Sequence, residues 1–395
     1  MSQIAPAGAQ HRRDTVVRRI SVALAATFLL HAPAFADVPT QVETIRTEAG
    51  NIKVTEVAGG LVHPWGMTFL PDGRMLVTER PGRLRLVTAE GGLRPDPVEG
   101  TPEVFAQGQG GLLDVVADPN FAQNQLVWLS FAEPGEGGTA GTAVGRGRFV
   151  DDRLEDFETV WRQTEKVQGP NHFGSRIVFA DADTIFVTLG ERFKFEPAQD
   201  LSNTLGTVIR ITREGEPAPG NPFLDQPDAQ GEIFSYGHRN IQAAAIDPAT
   251  GELYVAEMGP LGGDELNRID AGANYGWPVV SWGTHYDGAD IPDPPTHPEF
   301  HDSLTYWTPV IAPSGMVFYG GDQFPEFQGD ALIGGLVSEG ITRLELADGE
   351  VENQDHIPLE RRIREVEEGP DGNLYVLLDQ EDGALWKLQP LSASG

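Results

Sequence analysis

The stretch that decides the fold is Tyr236–Pro278, which reads YGHRNIQAAAIDPATGELYVAEMGPLGGDELNRIDAGANYGWP. Its centre has the pattern of a β-hairpin, because the apolar runs 243–246 and 253–256 flank the turn residues 247–251, DPATG. The triplet His238–Asn240 precedes the first strand, and an acidic loop rich in glycine and proline follows the second. The stretch therefore predicts a strand pair with cations and amides at one end and free backbone carbonyls at the other.

The same order of apolar strand, Asp/Pro/Gly turn and apolar strand recurs along the chain. Six units begin near Trp65, Leu112, Ser175, Tyr236, Gly315 and Ile363. A ring of such units protects its sheet edges by closing radially. We therefore predict an all-β fold, a six-bladed β-propeller with four-stranded antiparallel blades around a central channel. No linker, low-complexity segment or long helix pattern interrupts the repeat, so residues 37–395 are expected to form a single domain.

Composition and missing motifs argue against several classes of function. The chain has 395 residues with 47 glycines and 30 prolines, as expected for many short strands and tight turns. It has no cysteine, which excludes disulfides and cysteine catalysis. Its net charge of −31 argues against nucleic acid as a partner. Its sequence also lacks a Gly-x-Ser-x-Gly elbow, a glycine-rich phosphate loop and a dinucleotide-binding fingerprint.

The N-terminus has the pattern of a secretory signal peptide. Arginines precede the apolar run 20–30, which is followed by a small-x-small cleavage site at 34–36. The run is too short to cross a membrane. Residues 1–36 are thus predicted to be a signal peptide on a periplasmic or secreted bacterial protein. The pair Arg18-Arg19 leaves open whether export uses the general or the twin-arginine route.

Polar residues mark the starts of the inner strands, where they would face the channel. These are Gln109, His172, Arg239, Asn240, Arg362 and Arg364. Arg362 and Arg364 are two residues apart, so on a strand both point to one face. Because arginine matches carboxylates bidentately, the pair predicts an anionic ligand. The alternative is that both are surface arginines neutralised by Glu365 and Glu367.

Two further features bear on chemistry. His172 lies between a Gly-Pro turn and a strand, where it could be a general base or a structural histidine. No other histidines accompany it at zinc-ligand spacing. Gly259 and Pro260 lie in the acidic loop, whose carbonyls suit calcium, although an ordinary connection between blades would have the same composition.

Several motifs together resemble one enzyme family. The motifs are GQGGLL, NHFGSR, YGHRNIQ, AEMGPLGGDELN, NYGWP, IAPSG and RIREVEEGPDGNLYVLLD, and they occur in order across roughly 54–388. The set resembles the soluble dehydrogenases for sugars that depend on pyrroloquinoline quinone (PQQ), and is most similar to their aldose sugar dehydrogenase branch.

The resemblance implies a cofactor site in the channel. It implies PQQ contacts from Gln109, His172, Arg362 and Arg364, with Arg239 and Asn240 beside the reactive quinone carbonyl. It implies two catalytic residues, His172 as the base and Arg239 as the cation that stabilises the charge developing on that carbonyl. It implies a calcium ion on the carbonyls of Gly259 and Pro260, and a second on Glu265 and the backbone oxygen of Tyr275. The implied reaction oxidises the C1 hydroxyl of an aldose sugar to a lactone and passes electrons to an external acceptor. Whether the protein is a monomer or a dimer stays open.

The chain departs from the glucose-specific members at two positions. Val337 lies near the place of a lysine that contacts the cofactor, and Val310 replaces a threonine. A non-catalytic ligand-binding propeller is therefore an alternative. A calcium-dependent lactonase propeller is another, although its channel would gather carboxylates rather than arginine and glutamine.

Overall fold

The structure is a computed structural model that describes residues 40–47 and 50–391. The predicted signal peptide lies outside these residues, and the predicted limits of the domain at 37 and 395 lie outside them as well. No helix within the described ranges is long and apolar enough to cross a membrane.

Strands are numbered in chain order. The first half contains β1 (Thr40–Thr47), β2 (Gly50–Leu61), β3 (Pro64–Phe69), β4 (Met75–Glu79), β5 (Arg83–Val87), β6 (Leu112–Ala117), β7 (Leu126–Pro134), β8 (Thr139–Val150), β9 (Arg153–Arg162), β10 (Val167–Gln168), β11 (Ile177–Phe179), β12 (Thr184–Thr188), β13 (Thr207–Thr212) and β14 (Ile233–Tyr236). The second half contains β15 (Ile241–Ile246), β16 (Leu253–Glu257), β17 (Asp264–Arg268), β18 (Thr305–Trp307), β19 (Pro313–Phe318), β20 (Ala331–Gly335), β21 (Gly340–Ala347), β22 (Glu350–Pro358), β23 (Ile363–Glu368), β24 (Leu374–Leu378) and β25 (Gly383–Pro390).

Helical structure in the described chain is limited to single turns. These are α1 (Phe121–Asn124) and the 3-10 turns Glu136–Gly138, Glu196–Gln199, Pro294–Thr296 and Pro325–Phe327. The second strands β4, β12, β16 and β24 are buried along their whole length, because neighbouring blades cover both of their faces.

The sheets form the predicted six-bladed β-propeller, with antiparallel pairing within every blade. The inner strands β3, β6, β11, β15, β19 and β23 contact one another in sequence, and β23 contacts β3 to close the ring. The third, fourth and fifth blades have four strands each. In the first blade the outermost position is reduced to an isolated bridge between Leu84 and Val98, and in the second blade β9 and β10 both pair with β8.

The last blade joins the two ends of the described chain. β2 pairs antiparallel with β25, so a strand from before the first blade becomes the fourth strand of the sixth, and β1 adds a fifth. The side chains of this seam, including Val54, Trp386 and Leu388, belong to one apolar cluster. The ring is therefore closed by hydrogen bonds and apolar burial rather than by a covalent link.

Arg176 occupies the centre of the ring and contacts the inner strands of all the other blades. Its guanidinium bonds Glu365 and Asp114, and donates to the Gln242 carbonyl at 2.7 Å. It also donates to the Arg364 carbonyl at 3.1 Å and to Oγ of Ser314 at 3.5 Å, and lies 4.2 Å from the ring centroid of Trp65. This buried cation fixes the mutual positions of the strand starts from which the site is built.

Candidate active site

His172 is held by a buried carboxylate. Its Nδ1 lies 2.7 Å from Oε1 of Glu191, and both side chains are buried. The other oxygen of Glu191 accepts the backbone N–H groups of Lys194 and Phe195. With Nδ1 carrying the proton toward Glu191, the Nε2 lone pair is left available, and within residues 40–47 and 50–391 no protein group bonds it. This geometry favours a base over a merely structural histidine.

The surroundings of His172 keep its imidazole neutral. Burial lowers the pKa of His172, and the charge of Arg239 lowers it further, whereas the hydrogen bond that His172 donates to Glu191 raises it. The residue has a φ of 53°, which is uncommon outside glycine, and such strain is typical of functional sites. Its backbone N–H donates to Oε1 of Gln109 at 2.7 Å, so Gln109 links the histidine to the second blade.

Arg239 and Asn240 lie at the start of the neighbouring blade and are buried. The backbone N–H of Arg239 donates to Glu257 at 2.7 Å, and its Nη1 donates to the carbonyls of Met258 and Gly259 at 2.8 and 2.6 Å. Oδ1 of Asn240 accepts the Gly174 N–H at 3.2 Å, which connects this pair to the strand start behind His172. Because Nε of Arg239 is buried without a partner in the described structure, the guanidinium retains a donor for a ligand.

Arg362 and Arg364 share a cavity of about 290 Å³ with Gln109 and Val337. Both arginines approach Oδ2 of Asp379, at 3.5 Å from Arg362 and 2.5 Å from Arg364. Their expected neighbour Glu365 pairs with Arg176 instead. The alternative of two surface arginines neutralised by Glu365 and Glu367 is therefore wrong for the buried Arg364, and its carboxylate partner comes from the next strand.

The charges in this cavity favour an anionic ligand. Asp379 is the one acidic side chain among its lining residues, which include Arg80, Arg362 and Arg364. Burial would raise the pKa of Asp379, but the charge and hydrogen bond of Arg364, the charge of Arg80 and the hydrogen bond of His63 outweigh it and hold the pKa below its usual value. In the described structure the buried Nε atoms of Arg80 and Arg364 have no hydrogen-bond partner. A ligand rich in carboxylates fits this donor set.

The residues predicted to bind calcium form two groups, which are Glu265 with Tyr275 and Gly259 with Pro260. Glu265 and Tyr275 line a cavity of about 10 Å³ together with Glu257, Gly259 and Arg239. Burial raises the pKa of Glu265, and the nearby charge of Glu257 adds to it. Glu257 is buried and Glu265 is half-buried, and two carboxylates so close together suit a bound cation. No cluster of three or more acidic or histidine side chains with metal-site geometry occurs in the described part of the chain, so backbone carbonyls would have to complete the coordination.

Gly259 lines this small cavity, whereas Pro260 does not. The Gly259 carbonyl already accepts the Arg239 guanidinium, so a cation there would share the oxygen or displace the arginine. Pro260 and Arg239 both line a second cavity of about 230 Å³ whose other walls are mainly aromatic. Phe193 packs 5.1 Å from the His172 ring and stacks with Tyr286 at 6.3 Å, so one wall of the aromatic cavity contacts His172.

Sequence reasoning missed three acidic residues that position the site, and one arginine in it. Glu191, Glu257 and Asp379 hold His172, Arg239 and Arg364, and all three occur at or just after the end of a second strand. Glu79 occupies the same position in the first blade. The signal was therefore present in the sequence, as an acidic residue that recurs at or just after the end of the second strand. Arg80 directly follows Glu79, the member of this set in the first blade.

Comparison with known proteins defines the class. Residues 61–387 match the model of the family described as Glucose / Sorbosone dehydrogenase, and the chain belongs to this family. Aldose sugar dehydrogenase YliI of Escherichia coli K12 is 43% identical over 346 residues, which cover 86% of this chain and 93% of that protein.

Solved structures agree with this assignment. The crystal structure of the soluble aldose sugar dehydrogenase of Escherichia coli in its apo-form is 42% identical, covers 86% of this chain and 100% of its own, and superposes with a TM-score of 0.81. The PQQ-bound form of aldose sugar dehydrogenase from Streptomyces coelicolor is 29% identical, covers 86% of this chain and 97% of its own, and has a TM-score of 0.71.

Proposed function

We propose that this protein is a PQQ- and calcium-dependent dehydrogenase that oxidises the C1 hydroxyl of aldose sugars to lactones. The observation that carries the proposal is the buried His172–Glu191 pair, which Gln109 connects to a cavity lined by three arginines. Family membership and the PQQ-bound relative from Streptomyces coelicolor support the same reaction class.

Different residues of the chain are proposed to bind the cofactor and the calcium ions. Arg362, Arg364 and Gln109 would hold the cofactor by its carboxylates and polar edge, and Arg239 and Asn240 would lie beside its reactive carbonyl. When bound, PQQ supplies the acceptor for the hydride from C1 and calcium polarises that acceptor. Gly259 and Pro260 are the proposed ligands of this calcium, and Glu265 and Tyr275 those of a second. The electrons then pass to an external acceptor.

His172 is the proposed general base. Glu191 holds the Nδ1 proton, so Nε2 accepts the proton of the sugar hydroxyl. The imidazolium formed in this step is stabilised by the Glu191 carboxylate. Arg239 offers positive charge where negative charge develops on the acceptor. The aromatic walls formed by Phe193, Phe195 and Tyr286 are suited to pack against the C–H face of a sugar ring while excluding water.

A direct experiment tests the proposal. Purified protein stripped with chelator is titrated with PQQ and calcium, separately and together, and reduction of a redox dye is measured with a panel of aldoses. We expect turnover only when PQQ and calcium are both present. Robust turnover without them would contradict the proposal, and PQQ binding without any sugar oxidation would favour the non-catalytic binding propeller. We also propose a periplasmic or secreted location, which fractionation of the producing cells would test.

A further inference from the structure

The arginines that line the 290 Å³ cavity outnumber its acidic side chains. Arg80, Arg362 and Arg364 line it, and its acidic side chain is Asp379. Asp379 is already engaged, because its Oδ2 binds Arg364 at 2.5 Å and its Oδ1 lies 3.1 Å from Nδ1 of His63. Three guanidiniums thus face one carboxylate in a chain whose net charge is −31.

Arg80 is the least satisfied of the three. It follows β4 of the first blade, and its Nη1 donates to the Gly108 carbonyl at 2.5 Å. No acidic side chain in the described structure forms an ion pair with it, and its Nε is buried without a partner. A buried donor left unpaired costs free energy, which a ligand acceptor would recover.

We propose that Arg80 binds a carboxylate of the anionic cofactor, as a cation supplied by the first blade beside Arg362 and Arg364 of the sixth, the blade that adjoins it in the ring. This inference rests on the proposed function and adds to it a residue in the cofactor site. Arg80 also supplies a cation to the cavity that the neutral Val337 lines. The bond to Gly108 aims the guanidinium, and Gly108 precedes Gln109, so one loop orients both groups.

The test measures PQQ affinity of the apoprotein by quenching of its tryptophan fluorescence, without turnover. Arg80→Gln should weaken binding by about tenfold or more, as expected for loss of a charged hydrogen bond. Arg80→Lys keeps the charge but loses the planar guanidinium, so its PQQ affinity should lie between those of wild type and Arg80→Gln. The matched control is Arg153→Gln, because Arg153 is exposed and its one ion pair within the described residues is with the exposed Glu99. Thermal unfolding verifies that each variant is folded.

Salt dependence separates a ligand contact from a structural role. If Arg80 acts through its charge, PQQ affinity should fall less steeply with added salt in Arg80→Gln than in wild type. A variant that merely displaced the Gly108 loop would keep the wild-type slope. Wild-type affinity and slope in Arg80→Gln would overturn the inference and leave the proposed function intact. Failure of the wild-type protein itself to bind PQQ would instead overturn the proposed function.

Discussion

Nδ1 of His172 lies 2.7 Å from Oε1 of Glu191, and the two residues lie at the same end of an antiparallel strand pair in the third blade, where His172 precedes β11 and Glu191 follows β12. This contact sets the tautomer of the imidazole and stabilises its protonated form, so the two residues are expected to act as a unit.

Replacing the histidine should remove proton transfer while sparing the cofactor site. His172→Ala should lower kcat by about 10²–10⁴-fold, the usual contribution of a general base. PQQ affinity should change little, because Arg362 and Arg364 are on another blade. Dye-linked turnover and PQQ titration of the same preparation check both parts. Near wild-type kcat would exclude His172 as the base.

Replacing Glu191, the partner of His172, should alter the pH dependence of kcat/KM. Burial and the charge of Arg239 lower the pKa of His172, so kcat/KM should hold at neutral pH and fall only on the acid side of the ordinary histidine pKa of about 6.5. Glu191→Gln removes the charge that raises this pKa, so the acid limb should move to lower pH. The plateau should also fall, because an amide can donate to Nδ1 and leave Nε2 protonated. If Glu191→Gln changed neither the plateau of kcat/KM nor the midpoint of its acid limb, the pairing of Glu191 with His172 would be contradicted.

Arg364 should matter for stability as well as for cofactor binding. It is buried against Asp379, so Arg364→Ala strands a buried carboxylate and should lower the free energy of unfolding by about 3–5 kcal/mol. Arg362→Ala removes a more exposed partner at 3.5 Å and should cost less than about 1 kcal/mol. Both should weaken PQQ binding, and saturating PQQ should restore much of kcat in Arg362→Ala. Denaturant unfolding of the two variants tests the contrast, which equal losses of stability would refute.

Val337 offers a gain-of-affinity test. Its side chain is exposed and lines the cavity of Arg362 and Arg364. Val337→Lys should tighten PQQ binding, by about 1–3 kcal/mol if the ammonium reaches a cofactor oxygen. The gain should be larger in an Arg80→Gln background, where the cation is missing, than in wild type. Hydride transfer at full occupancy should be unaffected, because the contact is the same in ground and transition states. No gain in either background would show that residue 337 does not face the cofactor.

Glu265 provides a test of the second calcium that does not require turnover. Calcium at about a hundred times its Kd should stabilise the wild-type protein by about 2.7 kcal/mol, measured as a rise in Tm. In Glu265→Gln the rise should be much smaller, because the buried carboxylate is gone. Glu299→Gln is a suitable control, since Glu299 is exposed. Equal calcium responses in wild type and Glu265→Gln would remove Glu265 from the set of ligands.

The sequence repeat made the ring of blades predictable, whereas the contacts between side chains in the site could not be predicted. Strand periodicity and turn residues recur locally, so six blades could be recognised from the sequence alone. The contacts of Glu191 with His172 and of Asp379 with Arg364 join strand ends that come together only when the sheet forms. The fourth strand of the last blade was missed for a related reason, because β2 and β25 lie at opposite ends of the chain. Arg80 directly follows the recurring acidic residue Glu79, but only the structure shows that its Nε is buried without a partner in the described chain.

The seam between β2 and β25 has a consequence for biogenesis. Arg80 and Gln109 belong to the early part of the chain, whereas Arg362, Arg364 and Asp379 belong to the last blade. The cavity they form requires the first and the last blade together, so it is complete only when β25 has docked on β2 and closed the ring. A cofactor bound across these blades therefore stabilises the closed ring and cannot assist the folding of the early blades alone.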